Sequence, residues 1–375
     1  MKLFLLKIFD RSFALVLALL PAKKPPKQNV PRKVLAIKLS AMGDALCLMP
    51  ALRMLHDSMP GAEIDWLTTR RANPGLFSKL DFLKDTLLLP VSPHGMLLFF
   101  FKHFRKLRSY DLVIDFDQYY RISELIAFCG RSSAGFHAPL KGRTFALALD
   151  YEAHKSEKLQ FSDLVNLVIA FYGKQPATYS VELPELLAGF EPSSALQEFA
   201  QSLTGKGLPV VVLYPGSSMN ASFRRWDLSN YHEVIKGLTG RCSFIVAGGP
   251  DEVELKPFFS QIGLGDLDHI NAWTLKEWLW IFRHCADLLV GNDGGLLHLA
   301  ESQGVPMVGI FGPALYAKWG SINPESIGIE TEMGCRPCLR NYEGHVPSQC
   351  ARGDRACLQM LKPEQVVRAI GTRIR

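Results

Sequence analysis

Three groups of residues in this 375-residue chain have types and spacings that could do chemistry. Asp44 closes the turn Ser40-Ala-Met-Gly-Asp44. A carboxylate there either satisfies the first-turn N–H groups of a following helix or acts as a general base on an attacking hydroxyl. Ser217 and Ser218 stand in one loop with Arg224 and Arg225; Gly248-Gly249 and Asn292-Asp293-Gly294-Gly295 form two further turns. Hydroxyls, glycines and free helix N-termini suit phosphate oxygens, because the first N–H groups donate along a favourable dipole and glycine lets the backbone come close. The arginines add charge and bidentate hydrogen bonds for a diphosphate. The third group is Cys335, Cys338, Cys350 and Cys357, spaced C-x2-C-x11-C-x6-C over 335–357. That spacing admits a structural Zn or Fe site of four thiolates, a set of disulfides, or a redox-labile thiol cluster.

The elements that must position these residues follow a strand–turn–helix rhythm. Lys33–Ser40 reads as a strand, Ala45–His56 as a helix, and Glu63–Leu67 and Asp111–Phe116 as further strands. The rhythm restarts with Pro209–Tyr214, a helix from about Ser229 to Leu238, Cys242–Ala247, Ala286–Val290, a helix through Gln303, and Pro306–Phe311. Repeated βαβ units imply parallel sheets, and ligands of such sheets bind outside the carboxyl ends of the strands. The expected fold is α/β: two doubly wound Rossmann-like domains facing each other across a cleft. The expected division is an N-terminal segment and linker over 1–32, a first domain over 33–195 and a second over 205–375. No G-x-G-x-x-G follows a strand and no G-x-x-x-x-G-K-[ST] is present, which weighs against dinucleotide redox chemistry and P-loop hydrolysis.

Composition sets the outer bounds. The length suggests two cores rather than one, and 48% hydrophobic with 21% charged residues describes an ordinary globular chain. No uninterrupted apolar run reaches the roughly 18–20 residues of a spanning helix. The 42 Lys+Arg against 36 Asp+Glu leave +6, a mild excess that suits local anion contacts rather than nucleic acid. Within the first thirty residues, Phe13–Leu20 is wholly apolar and Lys23, Lys24 and Lys27 follow it. This is open to several readings: a signal peptide with Lys2 and Lys7 ahead of it, an interfacial helix on anionic lipid, or a frayed tail or a helix packed on its own protein. Leu97–Arg108 holds four Phe and five basic or His residues. It reads either as an ordinary amphipathic helix or as a cationic face for membrane or an anionic substrate. Cys47, Cys129, Cys242 and Cys285 read as core residues.

Together, Lys38-Leu-Ser-Ala-Met-Gly-Asp44, Leu213-Tyr-Pro-Gly-Ser-Ser218 with Arg224-Arg-Trp226, and Val290-Gly-Asn-Asp-Gly-Gly-Leu-Leu-His298 resemble glycosyltransferase family 9, the ADP-heptose:lipopolysaccharide heptosyltransferases. Gly248–Glu252, Ile310–Pro313 and Tyr110–Phe116 extend the resemblance from about Lys33 to the C-terminus. It implies a GT-B fold and inverting transfer of a heptose from ADP-heptose to the inner core of lipopolysaccharide. The acceptor would be a lipopolysaccharide core or lipid A-Kdo, met at the inner-membrane surface by a cytoplasmic, peripherally attached enzyme.

Matched residue by residue, the resemblance makes Asp44 the general base. Ser217, Ser218, Arg224, Arg225, Glu252, Asp293, Gly294, Gly295 and His298 become the donor-binding set. Ser40, Met42 and Gly43, with Lys102 and Arg105, stand on the acceptor side. Arg224 takes a place where the family usually has Lys, and Gly294 one where it usually has Thr. No catalytic metal is expected, since arginines and helix dipoles can carry the charge of the leaving group and no Asp-x-Asp pair is read as holding a divalent ion. The competing readings are a family member using another nucleotide sugar or acceptor, a nucleotide-sugar epimerase or hydrolase, and a non-catalytic sugar-nucleotide-binding protein.

Overall fold

The computed structural model describes Asp10 and residues 13–25, 29–139 and 141–374. Contacts divide the chain into two units, Met1–Ser180 with Arg340–His345, and Val181–Leu339 with Val346–Arg375. The first unit holds β1 (Lys33–Ile37), β2 (Glu63–Thr68), β3 (Asp85–Leu88), β4 (Leu112–Asp115), β5 (Ser132–His137) and β6 (Leu147–Asp150). They form one sheet in the order β3-β2-β1-β4-β5-β6, and every pairing in it is parallel. Val34, Leu35, Ala36 and Ile37 are all fully buried. An apolar run without alternation is what a central parallel strand with helices on both faces requires. The Met42–Ser58 helix buries every residue from Ala45 to Leu52 and packs against the Glu157–Phe171 helix.

The second unit holds β7 (Val210–Tyr214), β8 (Ser243–Val246), β9 (Leu288–Asn292), β10 (Met307–Phe311) and β11 (Ile327–Glu330). Its sheet runs β11-β10-β9-β7-β8, again wholly parallel. The strand order reverses direction between β1 and β4 in the first sheet and between β7 and β9 in the second. At such a switch point the flanking helices diverge and leave room for a ligand at the carboxyl ends of the strands.

Boundaries differ from the sequence reading in instructive ways. β1 ends at Ile37, three residues before Ser40, because the chain turns to bury the Lys38 ammonium. β3, β5, β6 and β11 were not expected: Ser132–His137 reads SSAGFH, and the other three are only four residues long. The segment Glu185–Gly207, expected as the domain boundary, falls within the second unit. The Leu183 N–H donates to the Ser302 carbonyl at 2.7 Å, Gln303 Nε2 donates to the Leu183 carbonyl, and Lys276 Nζ donates to the Leu186 carbonyl.

Residues 13–19 are helical, and Phe13 packs on the apolar cluster of the first unit. Asp10 caps the Arg121–Cys129 helix: its Oδ1 accepts the N–H groups of Arg121 and Ile122, and its Oδ2 meets the Arg121 guanidinium at 3.2 Å. Burial pushes the Asp10 carboxyl above its ordinary range against these donors. Lys2, Lys7 and Lys27, which entered the reading of this segment, lie outside the described residues.

Gly291 stands opposite Tyr214 where β9 pairs with β7, and an added Cβ would lie 2.7 Å from the Tyr214 carbonyl oxygen. Backbone cannot give way there. Gly291→Ala is expected to lower stability by about 1–3 kcal/mol, read as a lower urea midpoint at unchanged slope.

Candidate functional site

The first switch point is built around a buried cation. Lys38 is 3% exposed and follows β1 directly. Its ammonium lies 3.0 Å from Asp44 Oδ1 and donates to Gln118 Oε1 at 3.0 Å. Burial alone would make Lys38 less basic, but the carboxylates of Asp44, Asp117 and Glu157 outweigh it and hold the group well above the ordinary lysine range. Gln118 and Asp117 come from the turn after β4, and Asp117 Oδ2 fixes the β1 turn by accepting the Leu39 N–H at 2.9 Å.

Asp44 is the third residue of the Met42–Ser58 helix, where its Oδ2 accepts the Ala41 N–H at 2.9 Å. Its carboxylate therefore has one oxygen on the helix start and the other on Lys38, and it keeps 19% of its surface in solvent. Such a group is held in one orientation and still reachable by an incoming hydroxyl. Ser40, Met42 and Gly43 share its turn and are partly exposed. Tyr151 stands nearby: it donates to Glu157 at 2.7 Å, and burial together with Glu157 pushes its hydroxyl far above the usual tyrosine range.

Lys102 and Arg105 are not brought to this turn. Both lie exposed on the Pro93–Ser109 helix, whose last turns lead to the amino end of β4. Asp44 adjoins the carboxyl end of β1. In a parallel sheet these are opposite edges.

The second switch point is organised by Asn292, the last residue of β9. It is fully buried, and its Nδ2 donates to the carbonyls of Pro215 at 2.7 Å and Gly216 at 3.1 Å. Its Oδ1 accepts from the Trp226 N–H and the Tyr231 hydroxyl. One amide thus ties the β7 turn, the arginine loop and the β9 turn together. Arg224 reaches Asp293 at 3.1 Å and stays partly open to solvent. Among the described residues no side chain caps the Gly295–Glu301 helix that starts after Gly294; the Leu297 N–H donates to the Gly294 carbonyl, and Gly294 and Gly295 are partly exposed, a helix start an anion could approach. Gly294 is pressed against the Tyr214 ring, whose carbon an added Cβ would meet at 2.8 Å.

Four expected donor residues are engaged otherwise. Arg225 donates to Ser217 Oγ and the carbonyls of Ser217 and Asp251, and pairs with Glu254 at 2.5 Å. It braces the loop from behind, while Ser218 faces solvent. Ser217 is buried and donates to the Ala221 carbonyl. Glu252 accepts the Gly249 N–H at 2.7 Å and the Tyr214 hydroxyl at 3.2 Å, and burial raises its carboxyl above the usual range. His298 is buried on the helix, 3.9 Å from Glu301.

The profile of glycosyltransferase family 9 (heptosyltransferase) matches residues 100–345, well over half of the chain. The chain belongs to this family. A lipooligosaccharide heptosyltransferase 2 of Campylobacter jejuni is 27% identical over 169 residues, covering 43% of this chain and 50% of that protein. The chain thus spans about half the length of the curated relatives it matches. Among solved structures, a family 9 glycosyl transferase from Veillonella parvula superposes with a TM-score of 0.69 at 18% identity, over 92% of this chain and 98% of that one. The E. coli ADP-heptose lps heptosyltransferase II gives 0.64 at 18% identity, over 91% and 98%. These likenesses establish the GT-B fold.

Within this family 9 chain, two features need separate account. Asp115-Phe116-Asp117 does have the Asp-x-Asp spacing that the sequence reading passed over. Its first carboxyl is fully buried against Lys141 at 2.7 Å, and burial lifts it to about 6; its second holds backbone N–H groups of Leu39 and Tyr119. Both carboxylates are occupied by the fold. Cys335, Cys338, Cys350 and Cys357 are unbridged, and all four gather in one neighbourhood, each within electrostatic reach of another. Among the described residues, however, no group of three or more His, Cys, Asp or Glu side chains is arranged to hold a metal ion. The Zn or Fe expectation is not met by this arrangement: Cys338 Sγ is turned onto the Cys335 carbonyl at 3.3 Å.

Sequence reasoning did not assign roles to Lys38, Asp117, Gln118 or Asn292. The available signal was position, since all four stand at or just beyond the end of a strand beside a switch point. Asn292→Ala would leave several buried groups unpartnered. The expected cost is about 1–3 kcal/mol of stability, read as a lower urea midpoint at unchanged slope; an unchanged midpoint would contradict this positioning role.

Proposed function

We propose that this chain is an inverting heptosyltransferase that moves a heptose from ADP-heptose to the inner core of lipopolysaccharide. The observation that carries the reading is Asp44, a partly exposed carboxylate fixed by a fully buried lysine at one switch point. Pairing with Lys38 and capping the helix could be met by a carboxylate closed off from water; this one keeps 19% of its side-chain surface in solvent, where an acceptor hydroxyl can reach it. The names of the relatives, a lipooligosaccharide heptosyltransferase and an ADP-heptose lps heptosyltransferase, support the choice of donor and acceptor.

The second unit holds the donor. The helix start at Gly295, Arg224 and the exposed Ser218 supply donors and charge for the diphosphate, with Arg225, Ser217 and Glu252 shaping the loop behind them. In the reaction the acceptor oxygen bonds to the anomeric carbon as the bond from that carbon to the phosphate oxygen breaks. ADP leaves with the electron pair, and the proton of the acceptor hydroxyl passes to Asp44. The sugar is oxocarbenium-like at the transition state, and the negative charge growing on ADP falls on Arg224 and the helix start. No step runs through a metal. The division of labour is acceptor binding by the first unit and donor binding by the second, with the enzyme working from the cytoplasmic side of the inner membrane on a lipid A-Kdo or core acceptor.

The test is a transfer assay with ADP-heptose and a lipid A-Kdo acceptor, read by the mass of the product. The expected result is one heptose added per ADP released. Asp44→Asn should lose about 10²- to 10⁴-fold in kcat and keep the affinity for ADP-heptose. The reading fails if ADP-heptose is neither bound nor consumed, or if Asp44→Asn retains the full rate.

A further inference from the structure

The Pro93–Ser109 helix presents an outer face that an ordinary surface helix would not carry. It packs inward through Phe99 and Leu107, and Lys106 is drawn to Asp65 and Asp85 at 3.1 and 2.7 Å. Outward it shows Leu97, Leu98, Phe101 and Phe104, with Phe101 82% exposed. Lys102, Arg105 and Arg108 are exposed on the same helix, and the Arg108 guanidinium sits 5.8 Å from the Phe104 ring centre. The seventeen residues include no Asp or Glu. A surface helix in water normally turns charged residues of both signs outward; here, His94 apart, the exposed large side chains are apolar or cationic.

A second element continues this surface. Phe13 packs on the apolar cluster that also takes in Met96 and Phe100, and Asp10 and Lys23 tie the segment along the Arg121–Cys129 helix, which itself packs against the Pro93–Ser109 helix. Leu17 points into the protein, while Leu15 and Leu19 are 75% and 86% exposed. The segment is pinned at both ends: by Asp10 on the start of the Arg121–Cys129 helix, and by Lys23, which donates to the Gly130 carbonyl at 2.6 Å and lies over the Phe128 ring. Large apolar side chains held outward at fixed positions and rimmed by lysine and arginine match the headgroup boundary of an anionic bilayer. The hydrocarbon enters the acyl region and the cations meet the phosphates. Among the described residues no helix is long and apolar enough to cross a membrane, so the contact would lie in the plane of the interface.

We infer that residues 13–19 and the outer face of the Pro93–Ser109 helix form one docking surface for a bilayer bearing anionic phospholipid headgroups, with Leu15, Leu19, Leu98 and Phe101 inserted and Lys102, Arg105 and Arg108 at the phosphates. This assigns Lys102 and Arg105 to lipid rather than to the acceptor turn. It rests on the peripheral placement proposed above, but binding to lipid is measured without any transfer, so the two can fail separately.

The test is co-sedimentation of the full chain with vesicles of phosphatidylcholine alone and of phosphatidylcholine mixed with phosphatidylglycerol. Binding to the anionic vesicles should exceed binding to the neutral ones by about tenfold or more and fall as salt is added. Leu98→Ser with Phe101→Ser should weaken it about tenfold or more. Lys102→Glu with Arg105→Glu should do the same, and both variants should bind ADP as the parent does, which reports an intact second unit. The inference is overturned if the parent ignores anionic vesicles or if both variants bind them undiminished. It is equally overturned if the chain is a dimer in solution that Phe101→Ser converts to monomer, since the face would then belong to a second copy.

Discussion

A lysine ammonium with no access to water has to be surrounded by acceptors, and in this chain that requirement at Lys38 organises the first unit. Losing hydration costs several kcal/mol per ion unless partners replace it. Here they come from three separate places: Asp44 on the Met42–Ser58 helix, Asp117 and Gln118 after β4, and Glu157 at the start of the Glu157–Phe171 helix. None of these segments can move far without stranding a buried charge. The helix start that carries Asp44 is therefore fixed relative to the sheet, and Asp44 is the member of the set that still touches solvent.

The second unit solves the same positional problem with a neutral group. Asn292 offers two donors and an acceptor oxygen at the end of β9 and spends all of them on the loops that would cradle a diphosphate. A buried amide suits a site meant to receive an anion from outside, because it rigidifies the turns without placing a fixed charge beneath them. Arg224, which does carry charge, is kept at the rim by Asp293. The two sheets thus put comparable machinery at the same topological place, one built on ion pairs and the other on amide hydrogen bonds.

Much of this was legible before the structure, for physical reasons that differ residue by residue. Central strands such as PVVVLY announce themselves because burial on both faces leaves an unbroken apolar run. Ser132–His137 does not, since Gly135 fits a tightly packed place under Phe145 and the serines of SSAGFH carry little hydrophobic signal. Asp44 could be singled out from its turn, but its partner could not: Lys38 looks like the solvent-facing end of a strand until the chain is seen to fold over it. Arg225 and Glu252 have the residue types of ligand contacts, yet each is consumed by neighbours that sequence spacing does not reveal. The cysteine loop shows the converse, with spacing that suits a metal and a thiol set that does not present one.

The central claim is that the buried Lys38 exists to hold Asp44 in working position, and steady-state heptosyl transfer by Lys38→Met tests it most directly. Methionine fills the same space without the charge; the buried Asp117 and Glu157 lose their cation at a stability cost of about 3–5 kcal/mol, while Asp44 retains solvent to lean on. The account predicts a folded enzyme whose kcat falls by about tenfold to a hundredfold, with KM for ADP-heptose unchanged because the loops proposed to hold the donor lie in the other unit. A folded Lys38→Met enzyme that transfers at the parent rate would contradict it.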